Sequence, residues 1–226
     1  MAVWIDLIAL ILSYLFGAIP VGLLVVKIMT GKDLRRIQSG RTGGTNAIRA
    51  AGMAAGVLTI LGDFLKAVVA VLVCRGLSGG DPWIEAAGGF LAVLGHNYSV
   101  FLLERKAGRW TIGGGAGGVS TVGVATAFWP PALLILLPIG AGLLYGLGYA
   151  SVATMSVGLV TIVIFGLRAW LGYGPWAYAA FGLVVWLLVL WGLRPNIKRL
   201  VAGQERIIGW RARRKQRMDS EQGGEA

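Results

Sequence analysis

Apolar residues run along this chain in long blocks, broken at intervals by short clusters rich in Gly, Pro, Lys and Arg. The blocks read as candidate membrane spans at Val3–Met29, Met53–Val73, Trp83–Leu103, Gly117–Phe128, Ala132–Leu147, Ser151–Trp170 and Trp176–Leu193. A helix needs roughly 20 apolar residues to cross a hydrocarbon core of about 30 Å, so the pattern predicts an all-α polytopic bundle. Pro20 beside Gly22 predicts a kink in the first block. The fourth and fifth blocks are short for that core. They are read as two spans or as one interrupted or re-entrant element around Pro130 and Pro131. Asp6, with no Lys or Arg ahead of it, differs from the start of a cleaved signal, so the first helix is expected to be retained.

Composition strengthens the membrane reading. Of 226 residues, 56% are hydrophobic and only 14% charged, with a mean hydropathy of +0.73, which excludes a disordered chain and an ordinary soluble domain. Cys74 and His96 are the sole residues of their types, so an internal disulfide framework and a histidine-cluster metal site are excluded. No metal is expected.

The charge of +11 is distributed unevenly. Five Lys or Arg lie between residues 30 and 52, three between 104 and 112, and nine between Arg194 and Arg217, while the turns near 76–82, 129–131 and 171–175 have none. Alternating basic and neutral loops are the signature of a polytopic membrane protein, not of a nucleic-acid binder. Seven crossings put the N-terminus outside and every basic segment, the C-terminus included, in the cytoplasm; six would put the tail opposite the other basic loops. Residues 1–200 are expected to form one transmembrane domain, and 201–226 a basic cytoplasmic tail whose distal part is disordered.

Within this apolar chain the polar groups stand out. Ser39–Gly52 reads S-G-R-T-G-G-T-N-A-I-R-A-A-G, and 113–118 reads G-G-G-A-G-G. Glycines let backbone amides turn toward an anion, and the helix start that follows supplies unpaired donors. Arg41 and Arg49 are the candidate anion binders. The competing reading is an arginine-rich interfacial loop in which Asn46 caps the next helix. Asp63 and Lys66, three residues apart on one helical face, form either a buried structural pair or part of a polar cavity. His96 is either a general base or a packing histidine. After the last block, Leu193–Glu205 alternates polar with apolar residues and reads as an element in the headgroup plane.

These pieces, in this order, resemble the bacterial membrane family of acyl-phosphate:glycerol-3-phosphate acyltransferases. The first family motif resembles Ser39, Gly40, Gly43, Thr45, Asn46, Arg49 and Gly52; the second, Gly95, His96 and Tyr98; the third, Arg194, Asn196, Ile197, Arg199, Leu200, Gly203 and Glu205. The resemblance implies a seven-span bundle in the bacterial inner membrane, with its motifs on the cytoplasmic side. It implies direct transfer of an acyl chain from acyl phosphate to the 1-hydroxyl of glycerol 3-phosphate, giving lysophosphatidic acid and phosphate. Acyl phosphate is a substrate there and no cofactor is used; membrane lipids are the other partners.

On this basis Ser39, Asn46, His96, Asn196 and Glu205 are expected to serve catalysis. Gly43, Gly44, Thr45, Arg49, Lys66, Lys106, Arg109 and Arg194 are expected to bind substrate or phosphate. Two positions depart from the family pattern. The glycine stretch at 113–118 lacks the family's lysine, for which Lys106 or Arg109 are substitutes within reach along the chain, and Leu193 stands where the family has histidine before Arg194. A family member that binds a lipid or phosphorylated metabolite without turnover is therefore the alternative, and a small-molecule transporter the structural competitor.

Overall fold

A computed structural model describes residues 3–106, 108–212 and 214. The first apolar block forms α1 (Val3–Ala18) and α2 (Val21–Thr30), separated at Ile19 and Pro20, where the ring removes an amide that the helix ladder needs. Helix α3 (Gly44–Ser78) spans 35 residues and changes direction at Gly52, whose φ of 85° only glycine adopts at little cost. Helix α4 (Pro82–Asn97) starts from Asp81, whose carboxylate accepts from the amides of Trp83 (2.8 Å) and Ile84 (3.1 Å). There follow α5 (Gly118–Phe128), α6 (Ala132–Leu147), α7 (Ala150–Trp170), α8 (Trp176–Gly192) and α9 (Arg194–Val201).

Three helical stretches are long and apolar enough to cross a membrane: Val3–Thr30, Gly44–Ser78 and Ala150–Trp170. The α8–α9 pair, bent by 65°, is a fourth if taken as one broken span. Helices α5 and α6 are separate and shorter; at 11 residues, α5 is only roughly 16 Å long.

Helix α3 packs against α1, α2, α4 and α5, while α8 joins α4 to α7, and α6 lies on α7 and α5. Val71, Val93, Val124, Phe181 and Val185 form the main core between α3, α4, α5 and α8. A second core gathers Leu136, Ile164 and Phe165, with Phe128 stacked on Tyr178 at 4.1 Å. Glycines set the closest approaches: a Cβ at Gly17 would strike the Ala92 carbonyl, and one at Gly95 the Tyr14 carbonyl. Small residues thus bring the α1 and α4 backbones together, as membrane packing requires. At one end of the bundle, buried Glu85 accepts from Arg75 (2.9 Å) and the Tyr178 hydroxyl (2.9 Å), tying α3, α4 and α8.

The all-α expectation needs one correction. Leu103–Lys106 (β1) and Arg109–Ile112 (β2) form an antiparallel hairpin, with Leu103 opposite Ile112 and Lys106 opposite Arg109. Helix α4 therefore stops at Asn97, short of the predicted Leu103. The incoming glycine strand displaces the helical ladder: the Gly115 amide donates to the His96 carbonyl (2.8 Å) and the Ser99 amide to the Gly113 carbonyl (2.9 Å).

The segment after α9 also packs. The Ile208 amide donates to the Gly148 carbonyl (2.9 Å), Trp210 Nε1 to the Tyr145 carbonyl (2.9 Å), and Arg211 to the carbonyls of Gly146 (3.3 Å) and Leu147 (3.2 Å). The start of the basic stretch predicted as a tail thus lies on the α6–α7 turn. The distal tail, 215–226, lies outside the described residues.

Candidate active site

Opposite the Glu85 cluster, the first turns of α3, α5 and α7 and the bend between α8 and α9 surround a cavity of about 130 Å³. Gly44 and Thr45 come from α3, Gly118 and Val119 from α5, and Ala150 and Ser151 from α7. Three helices thus begin at its wall. Unpaired first-turn amides and the positive ends of the helix dipoles favour an anion there. Gly117 makes the α5 start possible, since it precedes the helix at φ 89° and Asn97 stands 3.0 Å from where a Cβ would sit.

The 37–43 loop is held from both sides. Asn46 Nδ2 faces the carbonyls of Arg41 (2.9 Å), Ile37 (3.0 Å) and Leu34 (3.3 Å), while its Oδ1 is buried without a donor. The α3 cap is Gly43, so the capping role read for Asn46 is corrected: the amide reaches back to brace the loop before it. Arg41 also differs from its expected role. It donates to the Gly115 carbonyl (2.8 Å) and the Gly192 carbonyl (2.6 Å), stitching the loop to the glycine strand and the end of α8. Burial draws its pKa below the ordinary guanidinium range. These bonds engage part of its guanidinium, while the side chain also lines the cavity.

Asp63 lies on the cavity wall and Lys66 behind it. Lys66 Nζ sits 2.8 Å from Asp63 Oδ1 and donates to the Ile19 carbonyl (2.7 Å), which the Pro20 break leaves outside a helical ladder. His96 Nδ1 lies 3.4 Å from the same carboxylate oxygen without the alignment of a hydrogen bond. The other side of the imidazole fills the place where a Gly115 Cβ would be, which ties the glycine strand to the His96 position.

Across the cavity, Glu205 accepts from Asn196 Nδ2 (2.8 Å), Arg199 Nε (3.2 Å) and the Ser151 hydroxyl (3.3 Å). It fastens α9 and the segment after it to the start of α7. Arg49 and Arg206 also face the cavity, and among the described residues neither donates a hydrogen bond or enters an ion pair.

All five residues expected to serve catalysis, Ser39, Asn46, His96, Asn196 and Glu205, share this wall with Gly43, Gly44, Thr45 and Arg49. Others do not reach it. Lys66 is bound to Asp63 behind the wall. Arg194 is exposed and lies over the Trp191 ring at 3.2 Å, its Nε donating to the Trp191 carbonyl (3.0 Å). Arg109 is exposed on the hairpin and is not among the residues lining the cavity. The reading of Lys106 as a phosphate ligand lies outside the described residues, as its side chain is not among them. Arg206, Ser151 and Thr154 line the cavity although the sequence reading passed over them. The position of Arg206 directly after Glu205, the last residue of the third motif, was the one available signal.

Fold and site together define a helical integral membrane protein with an anion-receptive polar chamber at one end of its bundle. The chain belongs to the glycerol-3-phosphate acyltransferase family, whose model matches residues 7–203. A glycerol-3-phosphate acyltransferase of Thermus thermophilus is 38% identical over 211 residues, covering 93% of this chain and 97% of that protein. One of Rubrobacter xylanophilus is 36% identical over 208 residues, covering 92% of this chain and 98% of that protein. The crystal structure of PlsY (YgiH), an integral membrane glycerol 3-phosphate acyltransferase in its glycerol 3-phosphate form, matches with a TM-score of 0.76 at 32% identity, covering 90% of this chain and 96% of that one.

Proposed function

We propose that this glycerol-3-phosphate acyltransferase takes its acyl chain from acyl phosphate and places it on the 1-hydroxyl of glycerol 3-phosphate. The observation that carries this reading is the convergence of three helix starts and two unpaired guanidiniums on one cavity that also presents His96, Asn46 and Ser39. Both substrates carry phosphate, and fixed amide and guanidinium donors hold such groups without reorganising during reaction. The hydroxyl oxygen bonds to the acyl carbonyl carbon and the carbon–oxygen bond to phosphate breaks. The hydroxyl proton ends on the released phosphate, leaving lysophosphatidic acid.

In this reading Arg49 and the amides of Gly43, Gly44 and Thr45 hold a phosphate, and Ser39 orients the attacking hydroxyl. His96, steadied by Asp63, takes the hydroxyl proton on its way to phosphate. Asn196 and Glu205 hold α9 in place. No metal, cofactor or covalent acyl-enzyme enters. The seven-crossing arrangement, with the chamber on the cytoplasmic side of a bacterial inner membrane, rests on the positive-inside distribution of Lys and Arg.

One feature favours a second reading, a family member that binds phosphorylated ligands without turning them over. Buried Leu193 and part of the lysine-free glycine stretch, residues 116–118, line the cavity, so neither the histidine nor the lysine that the family resemblance implies supplies a proton-transfer or charge-stabilising group there. Purified, detergent-solubilised protein supplied with acyl phosphate and glycerol 3-phosphate separates the two. The first reading requires lysophosphatidate and phosphate in equal amounts; absence of product from folded protein sinks it, and glycerol 3-phosphate binding without product establishes the second.

A further inference from the structure

Arg206 directly follows the third motif's Glu205 and lines the same cavity as Arg49. The side chain is exposed and, among the described residues, unpaired. Beyond its partial burial, Arg49 is acted on by the like charge of Arg206 and, in the opposite sense, by Glu205. Arg41 lines the same cavity, and like-charged guanidiniums gathered at one small chamber repel unless an anion lies between them. Glu205 acts on Arg49 from the same wall but makes no hydrogen bond or ion pair with Arg49 or Arg206 among the described residues. The carboxylates on the wall are Asp63, paired with Lys66, and Glu205, which already accepts from Asn196, Arg199 and Ser151.

Arg206 is also held in place from both sides. Glu205, directly before it, is fastened to α7 and α9. Ile208, Trp210 and Arg211, just after it, are fastened to the carbonyls of residues 145–148 on the α6–α7 turn. The backbone around Arg206 is thus a strap with both ends tied, laid across the edge of the cavity. The backbone position is therefore fixed before a ligand arrives, and only the side chain remains to be ordered.

From this arrangement we infer that Arg206 is a substrate-binding residue: with Arg49 it clamps a phosphate monoester in the chamber, and the C-terminal strap exists in this chain to carry it there. The identity of that phosphate, on glycerol 3-phosphate or on acyl phosphate, rests on the acyl-transfer reading; the clamp itself does not.

Inorganic phosphate is therefore the first probe, titrated calorimetrically into the full-length protein in detergent at constant ionic strength. Wild type is expected to bind saturably. Arg206→Gln should bind about tenfold more weakly, as expected for loss of a charge-assisted hydrogen bond, and Arg206→Lys should fall between them because an ammonium lacks the bidentate fork. Trp210→Ala, which leaves Arg206 intact but loosens the strap, should also weaken binding. Equal affinity in Arg206→Gln and wild type, or no saturable binding by wild type, overturns the clamp; wild-type affinity in Trp210→Ala overturns the strap's part in it. Kinetics of Arg206→Gln then separate the two sources, since the KM of the substrate whose phosphate is clamped rises. An enzyme that binds phosphate through Arg206 but makes no product defeats the acyl-transfer reading and leaves the clamp standing.

Discussion

Replacing Asn46 by aspartate keeps the side chain's shape and reverses the hydrogen-bonding sense of one atom, which makes it a strict test of the brace beneath the 37–43 loop. Asn46 is 2% exposed, and its Nδ2 points at three carbonyls. Two of them retain other donors: Leu34 accepts from the Ile37 amide (3.2 Å) and Ile37 from the Gly40 amide (2.9 Å). Arg41's carbonyl depends on Asn46 alone among the described hydrogen bonds. Stranding the part-buried Arg41 carbonyl costs about 1 kcal/mol and losing a second bond about 0.5–1.5, so Asn46→Asp should destabilise by about 1.5–2.5 kcal/mol at neutral pH.

The ionised carboxylate would also set an anionic oxygen against those carbonyls, so the folded variant should favour the protonated acid, which can donate one bond. The sign follows. A group easier to protonate folded than unfolded contributes stability below the unfolded value of about 4 and loses it as pH rises, by up to about 1.4 kcal/mol per unit. Thermal unfolding in detergent should therefore show the gap to wild type widening between about pH 5 and about pH 8. Asn46→Ala should be destabilised without that slope. An Asn46→Asp protein that matches wild type across this range refutes the brace.

Other substitutions test neighbouring contacts. Gly115→Ala drives a methyl into the His96 ring, and displacing a group at the reacting centre should lower lysophosphatidate formation on the order of 10²-fold, read from initial rates; unchanged rates would remove His96 from the chemistry. Arg41→Lys keeps the charge but cannot span both the Gly115 and Gly192 carbonyls, so a loss of about 1–2 kcal/mol is expected in denaturant or thermal titrations. In the loop before it, hydrogen bonds from Arg35 hold the Asp33 carboxyl down at about 2. A depressed carboxyl stabilises fully above its unfolded value and loses that contribution as pH falls from about 4 towards 2. Acid should thus lower the hydrogen-exchange protection factors of residues 33–37 in wild type, after correction for the intrinsic pH dependence of exchange, and Asp33→Asn should show lowered protection already at neutral pH.

The site was partly legible before folding because polar groups are scarce in an oily chain. His96 interrupts an apolar block and Ser39, Asn46, Asn196 and Glu205 lie in the polar segments between or after the blocks; Asn46, His96 and Glu205 are buried, and buried polar groups in a membrane bundle must find one another or water. Their convergence on one cavity is what that constraint demands. Individual roles were less legible. Arg41 and Arg49 look alike in sequence, yet one commits donors to the Gly115 and Gly192 carbonyls and the other keeps its donors facing the chamber. Lys66 looked equally suited to substrate or to Asp63 until the Pro20 break supplied the Ile19 carbonyl as a further partner.

What the sequence determined by itself is local or compositional. The apolar blocks fix where helices form, Pro20 and Gly52 fix where the first two stretches bend, and the basic loops give the side of the membrane on which charge accumulates. Each follows from a property that a residue carries into any context: side-chain transfer free energy, allowed backbone angles or formal charge. Tertiary structure alone decided that a glycine strand would take the His96 carbonyl and end α4 early, and that residues after Glu205 would return to the α6–α7 turn and bring Arg206 to the cavity. Those outcomes depend on which backbone groups a distant segment leaves unpaired, and that is settled only when the helices have packed.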